Sequence, residues 1–108
     1  MWGEAPRNAC FALSQYQNWR AADAKTVYLR ADFDRVYRLD LVRACRSLLW
    51  PDAHLILRAR GGDTICSALD LDLRMSPGAG DIPEPCLIDK MTALSPAEDA
   101  ALPKKVRP

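Results

Sequence analysis

Apolar and polar residues alternate with a period of two along much of this chain, the spacing of a strand with one face on a core. In Thr26-Val-Tyr-Leu-Arg-Ala31, Val27, Leu29 and Ala31 share one face and Thr26, Tyr28 and Arg30 the other. Arg35-Val-Tyr-Arg-Leu-Asp-Leu41 repeats the pattern, with Tyr37, Leu39 and Leu41 inward against Val36, Arg38 and Asp40. The polar Asp32-Phe33-Asp34 between them predicts a turn, so the two runs read as an antiparallel hairpin. His54-Leu-Ile-Leu-Arg-Ala-Arg60 predicts a third strand, and Gly61-Gly62-Asp63 offers the positive-φ residues of a tight hairpin. Thr64 to Arg74 should run back, with Leu69, Leu71 and Leu73 on the core and Asp70, Asp72 and Arg74 in water. Cys86-Leu-Ile-Asp-Lys-Met91 predicts the last strand.

Other segments break this period. Phe11 to Arg20 is compatible with an extended or a short helical segment, because Leu13, Tyr16 and Trp19 recur at helical spacing among strand-forming aromatics. A short helix is expected from Val42 to Leu49, capped by Asp40 and stopped by Trp50-Pro51, with Cys45, Leu48 and Leu49 on one side. Three Pro and two Gly make residues 76–85 a loop. Ser95-Pro-Ala-Glu98 predicts a helix start, with Ser95 as N-cap, Pro96 at the first position and Glu98 closing a capping box. Leu102-Pro103 should end that helix, and Lys104 to Pro108 forms a basic tail. The pattern as a whole predicts an α+β fold that is mainly antiparallel β: a curved sheet or small open barrel of five to six strands with two short helices.

A length of 108 residues fits one domain, with residues 1–9 as a loose lead-in and 10–108 as the folded part. Apolar residues are 49% and charged residues 27%, a composition that folds. Fifteen Lys and Arg against fourteen Asp and Glu leave a net charge of +1. A nucleic-acid binder needs an excess of cations facing phosphate, so nucleic acid is not an expected partner. No apolar run approaches the ~18–20 residues that span a bilayer, so no transmembrane span is expected.

Cys10, Cys45, Cys66 and Cys86 are spaced too widely for a zinc knuckle or a redox Cys-x-x-Cys. An even count in a small domain favours two disulfides and an oxidising compartment, with four buried free thiols as the alternative. An exported protein would carry its signal peptide upstream of Met1-Trp2-Gly3-Glu4.

The order of several motifs resembles a family of small four-cysteine envelope proteins of Gram-negative bacteria known as a domain of unknown function. The resemblance lies in Cys10-Phe11, Asn18-Trp19-Arg20-Ala-Ala-Asp23, Val36-Tyr37-Arg38-Leu39, and Cys45 with Leu48. It continues in Ile65-Cys66, Pro85-Cys86-Leu-Ile88, Leu94-Ser-Pro-Ala-Glu98 and Ala101-Leu-Pro-Lys-Lys-Val-Arg-Pro108, spanning residues 10–108. It implies a periplasmic or outer-envelope location, a signal or lipoprotein peptide removed from the precursor, and paired cysteines. It brings no catalytic residues. Of the three possible connectivities, the expected one joins Cys45 to Cys66 and Cys10 to Cys86, pinning the short helix to its neighbour and the first element to the last.

Candidate chemistry is sparse. Asp63, Asp70 and Asp72 are the obvious carboxylates, but Asp70 and Asp72 on one strand face share an environment and read as a solvated surface. His54 is the only histidine, and with the cysteines paired it has no thiolate to activate. No Ser lies in a Gly-x-Ser-x-Gly context, and Gly61-Gly62 and Gly78-Ala-Gly80 lack the spacing of a phosphate loop. Trp19 and Trp50 are expected over the ends of the core, and Trp2 in the lead-in is a possible partner contact. Tyr28, Arg30, Arg38, Arg58 and Arg60, with Ile56, are the candidate partner face if they share one side of the sheet, since Arg and Tyr combine contact area with directed hydrogen bonds. The expectation is a non-catalytic envelope binding module for a protein or acidic envelope ligand, without cofactor or metal. The alternatives are an inhibitor or immunity protein for a secreted or periplasmic enzyme, and an enzyme with an unrecognised site.

Overall fold

The central hairpin forms as its alternation predicts. Strand β3 (Thr26–Ala31) pairs antiparallel with β4 (Arg35–Leu41), setting Val27 opposite Leu39 and Leu29 opposite Tyr37. Val27, Leu29, Ala31, Tyr37 and Leu39 have no exposed surface, so this face is the floor of the core. The computed structural model describes residues 10–32, 35–76 and 82–108; the expected lead-in with Trp2, Phe33-Asp34 of the turn and residues 77–81 of the loop lie outside them. Asp32, the described residue of that turn, sits at a φ of 57°, and its carboxylate is held by Arg35 and Gln15.

Around the hairpin lie β1 (Phe11–Ala12), β2 (Tyr16–Asp23), β5 (His54–Ala59), β6 (Thr64–Ile65), β7 (Leu71–Ser76), β8 (Glu84–Pro85) and β9 (Ile88–Ala93). They form three antiparallel sheets, ordered β2-β3-β4-β9, β5-β7-β8 and β1-β6. Leu71, Leu73 and Met75 of β7, and Phe11 and Ile65 of the small sheet, join the hairpin residues in one buried core. Among the described residues no sheet closes on itself. A barrel needs pairing around its whole circumference, and none of the described strands hydrogen-bonds the four-stranded sheet to the three-stranded one. The antiparallel expectation therefore holds, while the open barrel of five to six strands gives way to nine shorter strands among the described residues.

The expected helix over 42–49 is a 3₁₀ turn at Arg46–Leu49. Its backbone is drawn into long-range bonds instead: the Val42 amide donates to the Leu87 carbonyl at 2.9 Å and the Cys45 amide to the Ala24 carbonyl at 2.6 Å. Asp40, expected as its cap, lies within β4 and pairs with Arg38. Phe11 to Arg20 contains both of its readings, as a 3₁₀ turn at Leu13–Gln15 between β1 and β2.

The tight hairpin after Arg60 is also replaced. Gly62 does take a φ of +71°, but β6 leaves to pair with β1, and β5 meets its partner only at Leu71, opposite Ala59. Between them a 3₁₀ turn at Ala68–Asp70 leaves Leu69 83% exposed rather than in the core. Asp70 holds that turn by accepting from the Cys66 and Ser67 amides at 2.9 and 3.1 Å. The last strand starts at Ile88, because the Cys86 amide is spent on the Leu73 carbonyl.

This topology sets the disulfides, which are Cys10–Cys66 and Cys45–Cys86 and not the expected pairs. Pairing of β1 with β6 brings Cys10 and Cys66, the residues just outside it, to a Cα separation of 4.0 Å. The last strand pairs with β4 rather than with the first element, which carries Cys86 to Cys45.

The outer face of the large sheet is partly covered too. Val36 and Tyr28, outward by alternation, are 1% and 8% exposed. Helix α1 (Pro96–Ala100) packs on β4, and a 3₁₀ turn at Lys104–Val106 packs on β2. Arg30 ties this cover down, donating to Asp99 at 3.2 Å and to the Pro108 carbonyl at 2.8 Å. The start of α1 has the expected capping box, the Glu98 amide donating to Ser95 Oγ and the Ser95 amide to the Glu98 carboxylate. Ser95→Ala should therefore cost about 1 kcal/mol in chemical denaturation.

Burial pushes the Tyr16 phenol up to about 12. A phenol that keeps its proton longer when folded stabilises the protein below its unfolded value of about 10. That contribution is lost as pH rises from about 10 towards 12. Tyr16→Phe should flatten this alkaline decline in stability measured by denaturation.

Candidate binding site

Among the five residues of the candidate partner face, Tyr28 and Arg38 stand directly opposite each other on the outer side of the four-stranded sheet. Arg30 follows two residues along β3 on the same side, but its guanidinium is committed to Asp99 and Pro108. Arg38 donates to Asp40 at 3.1 Å, a bond that favours its charged form and raises its pKa. Arg58 belongs to the other sheet, opposite Asp72 on β7, and Arg60 follows β5 with Asp72 4.0 Å away. The two groups thus lie on outer faces of different sheets. Alternation sorts residues into inward and outward; it carries no information on which sheet an outward residue belongs to.

The remaining candidates are mostly engaged in holding the fold. Asp70 caps its turn, Asp72 pairs with Arg74 at 3.3 Å, and Asp63 meets Ser14 at 3.5 Å. His54 is exposed at the start of β5. Among the described residues no group of three or more His, Cys, Asp or Glu side chains is placed to hold a metal ion.

A cleft of roughly 540 Å³ opens instead beside the Cys45–Cys86 disulfide. Its frame is built from segments distant in sequence: the turn from Arg43 to Trp50 on one side, Glu84 to Leu87 on the other. Three tethers hold them together. The disulfide is one, the Val42 amide bonded to the Leu87 carbonyl is the second, and the third is the hydroxyl of buried Ser47 donating to the Glu84 carboxylate. On this frame Trp50 is 54% and Leu87 58% exposed. Trp50 therefore does not cover an end of the core, whereas Trp19 is half-buried against it.

Arg43 and Arg46 line the same cleft, both exposed, with no hydrogen bond or ion pair to any described residue. They differ in this from Arg30, Arg35 and Arg38, whose guanidiniums are all bonded. Sequence reasoning missed the site because its two walls meet only through long-range links, the Cys45–Cys86 disulfide and the Val42–Leu87 and Ser47–Glu84 hydrogen bonds. The one local signal was a pair of arginines three apart, just before a tryptophan that the core does not absorb.

No family model matches this chain, and neither a curated protein nor a solved structure matches it.

Proposed function

We propose that this chain is a non-catalytic binding module of the periplasm or outer envelope, and that it binds through the cleft beside Cys45–Cys86. The observation that carries this reading is the pair Arg43 and Arg46, whose guanidiniums have no partner among the described residues, on a tethered frame beside exposed Trp50. A guanidinium with no internal bond to surrender is ready for a bidentate bond to a carboxylate. Arg and Trp are also the side chains most enriched at binding hot spots. Tethering restricts the motion of the frame, which lowers the ordering cost of binding.

Two disulfides fit an oxidising compartment, and the finer reading, periplasm or outer envelope, rests on the resemblance to envelope proteins alone. The carboxylates nearest in type to acid/base groups are already engaged, Asp70 as a cap, Asp72 with Arg74 and Glu84 with Ser47. Binding requires no reacting group, and the expected partner is a protein or an acidic envelope ligand.

The test is capture of partners from envelope extract by the full chain and its variants. Arg46→Glu should weaken capture by about tenfold or more, the scale of a hot-spot residue. Arg38→Ala combined with Arg58→Ala should leave it unchanged. The opposite result would move the site to the outer sheet faces. Turnover by the purified protein that disappears on replacing His54 or Asp70 would overturn the non-catalytic reading.

A further inference from the structure

Six large apolar side chains are prominently exposed among the described residues, and five of them, Val42, Leu49, Trp50, Leu69 and Leu87, line three adjoining clefts. Trp50 is the wall between the disulfide cleft and a groove of roughly 450 Å³ against β2. Leu87 is the wall between the disulfide cleft and a second groove, of roughly 280 Å³, beside β7 and β9. Scattered single apolar residues are ordinary on a protein surface; gathered ones mark an interaction site.

Charge follows the same band. Arg20 and Lys105 line the groove against β2, and Arg43 and Arg46 the disulfide cleft, and none of these four side chains has a hydrogen-bond or ion-pair partner among the described residues. Among the described residues the carboxylates lining the three clefts are Glu84, which accepts from Ser47, and Asp72, which pairs with Arg74. With a net charge of only +1 over the chain, this concentration of free cations arises from placement, not composition.

We propose that this band, from Arg20 across Trp50 and Leu87 to Leu69, docks an acidic protein that presents aliphatic or aromatic side chains between its carboxylates. The proposal rests on the binding-module reading and names the partner's chemistry. Opposite charge and matching apolar positions are what the band lacks in itself. A second copy of this chain fits poorly, because pairing the band with itself sets cations against cations. A polyphosphate would satisfy the cations and leave the apolar centre without a complement.

The experiment uses the full chain as bait for a displayed random-peptide library. Enriched sequences should be rich in Asp and Glu interspersed with Leu, Ile, Phe or Trp. The best of them, synthesised, should bind more weakly as salt rises. It should lose about tenfold or more in affinity to Trp50→Ala and to the Arg43→Glu, Arg46→Glu double variant, and bind Arg38→Ala as it binds the wild type. Thermal melts of the variants separate loss of binding from loss of fold. Failure to enrich, enrichment of peptides without carboxylates, or equal binding by the variants would overturn the proposal. So would a dimer in sedimentation that Trp50→Ala dissociates. The two readings fail separately: if Trp50→Ala abolishes capture from envelope extract while library peptides lack acids, the site stands and the partner chemistry is wrong. If capture is indifferent to Trp50→Ala and Arg46→Glu, the functional reading itself falls.

Discussion

Replacing Cys45 and Cys86 together by Ser is expected to destabilise the protein by up to about 4 kcal/mol, the chain-entropy scale for a loop of its size. The two disulfides close overlapping loops, with sequence separations of 56 for Cys10–Cys66 and 41 for Cys45–Cys86. Each therefore has a similar effect alone, and the pair is less than additive because either one already restricts residues 45 to 66. For a domain of this size, with a total stability of roughly 5–15 kcal/mol, that is enough to bring the melting transition near working temperatures. The two losses differ in consequence. Cys10 and Cys66 flank the pairing of β1 with β6 and do not line the disulfide cleft. Cys45–Cys86 is one of three tethers between the cleft walls. Removing it should abolish partner binding at temperatures where the protein is still folded, whereas the Cys10→Ser, Cys66→Ser variant should bind normally until it melts. Peptide mapping without reductant checks the connectivity directly, and a Cys45–Cys66 peptide or free thiols in the native protein would sink this account.

What could be read from the sequence follows from the range of each signal. The β3–β4 hairpin was legible because alternation and a polar turn are local, and Val27, Leu29, Tyr37 and Leu39 all face the core as their positions require. The capping box at Ser95 and Glu98 is more local still, four residues that satisfy one another. Reading failed where long-range bonds overrode local pattern. The cleanest alternation in the chain, Ala68 to Arg74, is half turn and half strand, because Asp70 bonds back to Cys66 and Ser67. The run Val42 to Leu49 has a helix-like apolar side, but its amides at Val42 and Cys45 go to Leu87 and Ala24. The cleft depends on both kinds of failure. Its arginines sit on the segment misread as helix, and its opposite wall is brought there by a pairing of cysteines that no local pattern encodes.

The second large effect is expected at Phe11. Phe11→Ala should cost about 3–5 kcal/mol, the usual range for emptying a buried aromatic site. The ring is 2% exposed, stacks on Tyr37 with centroids 4.8 Å apart, and heads a two-residue strand whose partner is Ile65. Its neighbour Cys10 offers a carbonyl that accepts from Arg35 at 3.0 Å and lies 3.4 Å from the Tyr37 hydroxyl. Relaxation into the cavity would disturb that network, so the site collapses poorly and the cost belongs at the upper part of the range. Leu69→Ala is the matching control. A strand running unbroken from Thr64 to Arg74 would bury Leu69 and make its loss cost about 2–5 kcal/mol. The 3₁₀ turn leaves it 83% exposed, and the change should stay within about 0.5 kcal/mol. Urea denaturation of both variants decides the matter. Comparable losses at Phe11 and Leu69 would restore the continuous strand and remove Leu69 from the docking band, while a large loss at Phe11 alone fixes the small β1–β6 sheet as the plug of the core.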